Sequence, residues 1–166
     1  MQDEQPLNAK PEKIPHLKPA FRADGSVTAA NASSISDGAA ALIVSSQTHM
    51  QQAGLPCRAR ILGHASHAQE PAWFSTAPIF ATRKLLDRLN WRMEDVDLWE
   101  VNEAFAVVPM AFMNELDIPG DIINVHGGAC ALGHPIGASG ARIIVTLLHA
   151  MERRDVNRGI AAVCIG

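Results

Sequence analysis

A basic surplus, long apolar runs and paired cysteines are all missing from this 166-residue chain. Lysine and arginine total 14 against 17 aspartates and glutamates, a net charge of −3, and no strongly basic face for nucleic acid follows from that balance. Apolar stretches are short and broken by glycine, proline or charge, so no segment is expected to span a membrane. The polar, acidic start, MQDEQPLNAKPEK, lacks the form of a signal peptide. Three cysteines, Cys57, Cys130 and Cys164, are an odd number at wide spacings, which fits neither a disulfide framework nor a zinc site. A reducing cytoplasm is the expected compartment, and no metal is expected. Internal repeats and low-complexity tracts are also missing.

Hydrophobic residues make up 48% of the chain and charged residues 19%, enough for one buried core. Residues 1–20 carry four prolines and read as an extended arm, and the small polar residues of 21–38 read as a loop. From residue 39 strand-like and helix-like patterns alternate. Strands are expected over 39–45, 60–67, 97–101, 122–125 and 160–165. Helices are expected over 48–53, ending at Gly54, over 79–89 with Thr76 as cap and Pro78 just inside, and over 141–153. Another runs from an Asn102 cap to residue 116, restricted by Pro109. This alternation predicts an α/β domain with a mostly parallel sheet. The division is 1–38, arm and substrate loop, then 39–166, the folded domain. The closing apolar strand stops at Gly166 with no following turn, from which a natural fold longer than this chain is expected.

Four segments carry chemistry. The first, His126 to Gly140 (HGGACALGHPIGASG), has five glycines in fifteen residues between a strand and a helix. Its spacing matches neither GxGxxG nor a P-loop. It presents His134 between Gly133 and Pro135 as a general base or oxyanion donor, or else as an ordinary hydrogen-bonded histidine. The second, Trp99 to Ala106 (WEVNEAFA), puts Asn102 and Glu103 where a parallel strand gives way to its helix, the usual place for ligands in α/β folds. Helix capping accounts for the same two residues. In the third, AAVCIG, Cys164 reads equally as a small core residue. The fourth, Thr28 to Ser34 followed by Asp37-Gly38, suits a loop packed against a slender ligand or a plain polar turn.

Together these segments resemble the thiolase family, specifically its C-terminal half. The NEAFA run, the GGxxxLGHPxGxSG run and the terminal Cys-x-Gly occur in the family's order, with 32 residues from Asn102 to His134 and 30 from His134 to Cys164. The resemblance covers about residues 17–166. It implies a three-layer α/β/α domain with a mixed, mostly parallel sheet of four to five strands, the last cut short. It further implies acyl transfer, either condensation of two acetyl-CoA units or thiolysis of 3-ketoacyl-CoA, as in fatty acid metabolism. Coenzyme A thioesters are then substrates and no separate cofactor is needed.

By the same resemblance, His134 activates a nucleophilic cysteine and helps form an oxyanion hole, and Asn102 orients a water in another. Cys164 moves the proton on the substrate α-carbon, with a thiolate whose basicity nearby donors tune. Gly133 and Gly166 support the oxyanion loops. Ala29, Ala32 and Ser33 match the loop against the pantetheine arm, Ser33 making the polar contact. Leu17, Phe21, Phe74 and Phe105 match positions along the coenzyme A tunnel.

The chain departs from the pattern in one essential respect. Neither Cys57 nor Cys130 sits in the family's nucleophile context, so the chain alone is expected to be inactive and to need an N-terminal thiolase half as partner. Ala30 and Ser34 replace common loop glycines. Homo-oligomers are compatible with the resemblance. Two other readings compete, a non-catalytic binding module for coenzyme A or acyl-CoA with thiolase shape, and a gene fragment.

Overall fold

The computed structural model describes residues 4–165. Its elements in chain order are α1 (Glu4–Asn8), a 3₁₀ turn (Pro11–His16), α2 (Gln47–Gln52), a second 3₁₀ turn (Pro71–Thr76), α3 (Ala77–Leu89), β1 (Leu98–Val101), α4 (Val107–Leu116), α5 (Ala129–Leu132), α6 (Ser139–Arg154) and β2 (Gly159–Ala162). A third 3₁₀ turn, Met93–Asp95, leads into β1.

Strands β1 and β2 pair in parallel, Leu98 opposite Gly159 and Val101 opposite Ala162. Every residue of β1 is buried, which is how a strand covered on both faces reads. Alternation splits its side chains between two layers. Trp99 and Val101 join Val108, Phe112 and Leu116 of α4 and Ile79 and Leu86 of α3 in the larger core. Leu98 packs with Leu147 and Ala150 of α6 on the other face. Trp99 and Phe112 meet edge to face with centroids 5.6 Å apart, a favoured aromatic geometry. The α/β/α layering expected from the sequence is present.

The strands are fewer than the apolar runs predict. Residues 39–45 and 60–67 form no ladder among the described residues, and Ile43, Val44, Ile61 and Leu62 are exposed. An apolar run has strand length whether or not a partner strand lies beside it, and only pairing satisfies its backbone. Residues 64–67 instead dock on α3: Arg88 Nη1 donates to His64 O at 2.9 Å, and His67 stacks on Phe80 at 4.8 Å.

The 122–125 strand shrinks to isolated bridges, one of them parallel from Trp99 to Ile123. Asn124 takes φ +46°, leaving the strand conformation. Its side-chain amide then stands in for a peptide group, accepting from Val101 N at 2.7 Å and donating to Val101 O at 2.8 Å.

Three local expectations are corrected. Residues 4–16 hold a helix and a 3₁₀ turn where an extended arm was expected. Thr76 occupies the N-cap of α3 without capping it, because its hydroxyl donates to Trp73 O at 2.9 Å. Asn102 caps nothing: α4 begins only at Val107, which places Pro109 harmlessly in its first turn. That leaves the buried Asn102 amide for another use.

Candidate active site

The parallel register decides where the chemistry gathers. Asn102 follows β1 directly, and its backbone N–H donates to Ala162 O, the last residue of β2, at 2.9 Å. Cys164 lies two residues further on, so both groups come off the carboxyl ends of neighbouring parallel strands, where α/β folds place ligands. Cys164 is buried at the edge of the larger core. Burial pushes its thiol above the ordinary cysteine range, against a smaller lowering effect of a backbone hydrogen bond. The resting group is therefore a protonated thiol.

His134 reaches the same place through the glycine-rich loop. Gly133, at φ +90°, turns the chain into His134, and a β-carbon there would press on the Ser36 side chain. This is a position that requires glycine. The backbone of His134 is pinned from the neighbouring loop, its N–H donating to Ser34 O at 2.8 Å. The imidazole spans two buried side chains. Nε2 lies 3.2 Å from Asn102 Nδ2, and Nδ1 lies 2.6 Å from Ser139 Oγ, whose hydroxyl is also 3.1 Å from Pro135 O. Burial, and after it the positive charge of Arg142, lower the His134 pKa, so the ring is neutral at neutral pH.

Arg142 belongs to this cluster. From the second turn of α6 it donates Nη1 to Glu100 Oε1 at 3.1 Å and Nη2 to Asn102 Oδ1 at 3.4 Å. Glu100, on the α6 face of β1, is 1% exposed. Burial raises its carboxyl to about 7, Arg142 opposing and Glu103 assisting. Glu103 is the fastener of the loop. Its carboxylate accepts from Asn124 Nδ2 at 3.0 Å and from Cys130 N at 3.1 Å, and it fills the space a β-carbon on Gly128 would need.

The other two cysteines make no hydrogen bond to His134 or Asn102 among the described residues. Cys57 is exposed, its thiol donating to Ala59 O at 3.4 Å. Cys130 is raised to about 11, by burial first and then by the Glu103 carboxylate.

Of the remaining expected site residues, Ala32 and Ser33 lie beside the cluster. Ala32 bridges to Phe105, and Ser33 binds Ala104 O through its N–H at 3.2 Å and its hydroxyl at 2.9 Å. The hydroxyl expected to meet a ligand thus donates within the chain. Ala29 sits in the exposed turn before this pairing. Phe21, 72% exposed, packs edge-on against Phe105 at 5.6 Å, while Leu17 is half-buried nearby in sequence. Phe74 stands apart, lining a cavity of about 230 Å³ with His67, Ala77 and Ile165. Gly166 lies outside the described residues. No cluster of His, Cys, Asp or Glu able to hold a metal occurs among the described residues, and no described helix is long and apolar enough to cross a membrane.

Sequence reasoning did not single out Glu100, Asn124, Ser139 and Arg142. One signal was available for Glu100, a lone carboxylate between apolar neighbours in a buried strand. Ser139 stood inside the glycine-rich motif. Nothing in the helical pattern of α6 distinguished Arg142 from the other arginines.

Comparison with known proteins shows the family. Residues 55–166 match the family model described as "Thiolase, C-terminal domain", and residues 1–48 match "Thiolase, N-terminal domain". The chain is 52% identical over 165 residues to an acetyl-CoA acetyltransferase of Pseudomonas aeruginosa, covering 99% of this chain and 42% of that protein. It is 49% identical to a probable acetyl-CoA acetyltransferase of Dictyostelium discoideum, covering 100% and 40% respectively. The crystal structure of the Bacillus anthracis acetyl-CoA acetyltransferase superposes with a TM-score of 0.94 at 45% identity, over 99% of this chain and 42% of that one. That of an Ascaris suum thiolase in complex with coenzyme A gives 0.87 at 42% identity, over 98% and 42%. The chain thus spans about two fifths of the length of the relatives it matches. Matched over two thirds of its own length by the C-terminal domain model, it belongs to the thiolase family.

Proposed function

We propose that this chain supplies the His134–Asn102–Cys164 side of the active site of an acetyl-CoA acetyltransferase. The reaction is condensation of two acetyl-CoA units or the reverse thiolysis of a 3-ketoacyl-CoA, with coenzyme A thioesters as substrates and no separate cofactor. The observation that carries the reading is the 3.2 Å approach of Asn102 and His134 across 32 residues of sequence. Cys164 leaves the same strand ends.

Each group has a task that its environment supports. His134, neutral, accepts a proton from an attacking thiol at Nε2 and, once protonated there, donates to a developing oxyanion. Asn102, buried and fixed by two partners, contributes a donor to an oxyanion or to an ordered water. Cys164, protonated at rest, donates to the carbanion released on thiolysis; in condensation it first gives its proton to the coenzyme A thiolate that departs on acyl transfer, and the resulting thiolate then takes the α-proton as the oxyanion donors stabilise the enolate. The acyl-accepting nucleophile is assigned to neither Cys57, whose thiol bonds Ala59 O and none of the His134 cluster, nor Cys130, whose thiolate is disfavoured. The chain therefore works with an N-terminal thiolase half and is inactive without it. Ala29, Ala32, Ser33, Leu17, Phe21, Phe74 and Phe105 are proposed to receive the pantetheine arm, with Gly133 and Gly166 supporting the oxyanion loops. Cytoplasm is the proposed compartment.

The test is to combine this chain with the N-terminal portion of the Pseudomonas aeruginosa relative and follow acetoacetyl-CoA cleavage. Activity should require both pieces and vanish in His134→Ala and Cys164→Ala. A well-folded complex that stays inactive, or activity from this chain alone, overturns the reading.

A further inference from the structure

We propose that Arg142, anchored by Glu100, is a positioning residue that fixes the direction of the Asn102 amide and so holds His134 as the Nδ1–H tautomer with its lone pair on Nε2. The argument runs inward from both ends of one hydrogen-bonded row. A guanidinium only donates. The Asn102 atom 3.4 Å from Arg142 Nη2 must therefore be the carbonyl oxygen, which turns the amide nitrogen toward His134. That nitrogen donates, so Nε2 accepts and carries no proton.

From the other end, the Ser139 hydroxyl lies 3.1 Å from Pro135 O, a pure acceptor to which it donates in the proposed row. Ser139 Oγ then accepts from Nδ1–H at 2.6 Å. The Arg142 end sets the tautomer, and the Ser139 end accommodates it. Glu100 keeps the fork in place: its carboxyl group holds Nη1 at 3.1 Å while Nη2 serves Asn102, and the Arg142 side chain is only 17% exposed. A second-layer group that fixes tautomer and ring direction is a general requirement for a working histidine.

The row also bears on turnover, a consequence that rests on the thiolase reading. A proton arriving at Nε2 faces the Asn102 donor, and Arg142 resists the amide flip that would accommodate it. The imidazolium is thus held in a state that readily returns its proton.

Nitrogen-15 shifts of the labelled histidines in the full chain read the tautomer directly, with His134→Gln identifying the resonance. Wild type should show the Nδ1–H pattern. Asn102→Asp, isosteric but lacking the donor, should invert it to Nε2–H and move the His134 titration to higher pH. Arg142→Gln should give a mixture of the two tautomers, and Arg142→Lys should retain more of the wild-type pattern. If Arg142→Gln does not fold, Glu100→Gln, which loosens the anchor, should give the mixture instead. A wild-type Nε2–H signature, no inversion in Asn102→Asp, or an unchanged tautomer in the folded Arg142 or Glu100 variant overturns the proposal. None of these readouts needs activity. An inactive two-piece complex with the Nδ1–H signature intact removes the thiolase reading and leaves the row standing.

Discussion

Replacing Gly133 by alanine tests the geometry that delivers His134. Gly133 has φ +90° and ψ 163°, a region that side-chain-bearing residues almost never occupy. Forcing alanine into it costs about 1–3 kcal/mol. A β-carbon there also meets the Ser36 side chain, lying 2.7 Å from its β-carbon. Overpacking of this kind costs about 1–3 kcal/mol more. Ser36 is bound to the Ser34 hydroxyl at 2.9 Å, and Ser34 O receives the His134 N–H, so the push is transmitted to the segment that pins His134. The assay is urea unfolding of the full chain, with amide hydrogen exchange at His134 as the local reading. Gly133→Ala should lower stability and speed that exchange, and adding Ser36→Gly should restore only the part due to the clash. Two results refute the reasoning: a single variant within about 0.5 kcal/mol of wild type, the range of an ordinary surface change, or complete recovery in the double variant.

Three other outcomes are expected. Glu100, raised from 4.5 to about 7, favours the fold fully below 4.5 and loses that contribution as pH climbs through 7. The displacement corresponds to about 3 kcal/mol, and Glu100→Gln, still facing Arg142 and Glu103, should flatten the wild-type fall in melting temperature between pH 4.5 and pH 7, as differential scanning calorimetry would show. Asn124→Gly keeps the positive φ but strips Val101 N–H and C=O of their partners, so urea unfolding should record a loss of about 2–4 kcal/mol, whereas a neutral result would mean that water replaces the amide. Phe112→Ala should cost about 3–5 kcal/mol in the same assay, while Phe21→Ala, at an exposed ring, should cost under about 0.5 kcal/mol; equal losses would refute the core assignment.

What the sequence disclosed follows from what each signal measures. The glycine spacing around His134 marks where backbone must turn sharply, and Gly133 turns as expected. Helical periodicity reports one-sided burial, so α3 and α6 were legible, with ends misplaced by one to two residues. Apolar runs report only a wish to be covered. That is why 39–45 and 60–67 looked identical to β1 although only β1 has a partner. The use of Asn102 was hidden by ambiguity: Asn before a helix is the standard cap signal, and nothing local reveals that α4 starts five residues later. Arg142 was invisible because its partners, Glu100 and Asn102, lie about 40 residues away in sequence. Long-range pairing of polar groups leaves no period to detect.

Adjacent residues Asn102 and Glu103 hold two different parts of the glycine-rich segment. Asn102 holds the histidine, and Glu103 holds the turn at Gly128 and Cys130. This dipeptide behaves as a key with two teeth cut on opposite sides. Inserting one residue before Asn102 would bring its amide to the turn, and deleting one from the end of β1 would bring the Glu103 carboxylate to the imidazole. The stretch from Trp99 to Ala106 is accordingly intolerant of changes in length, although much of it lies outside helix and strand.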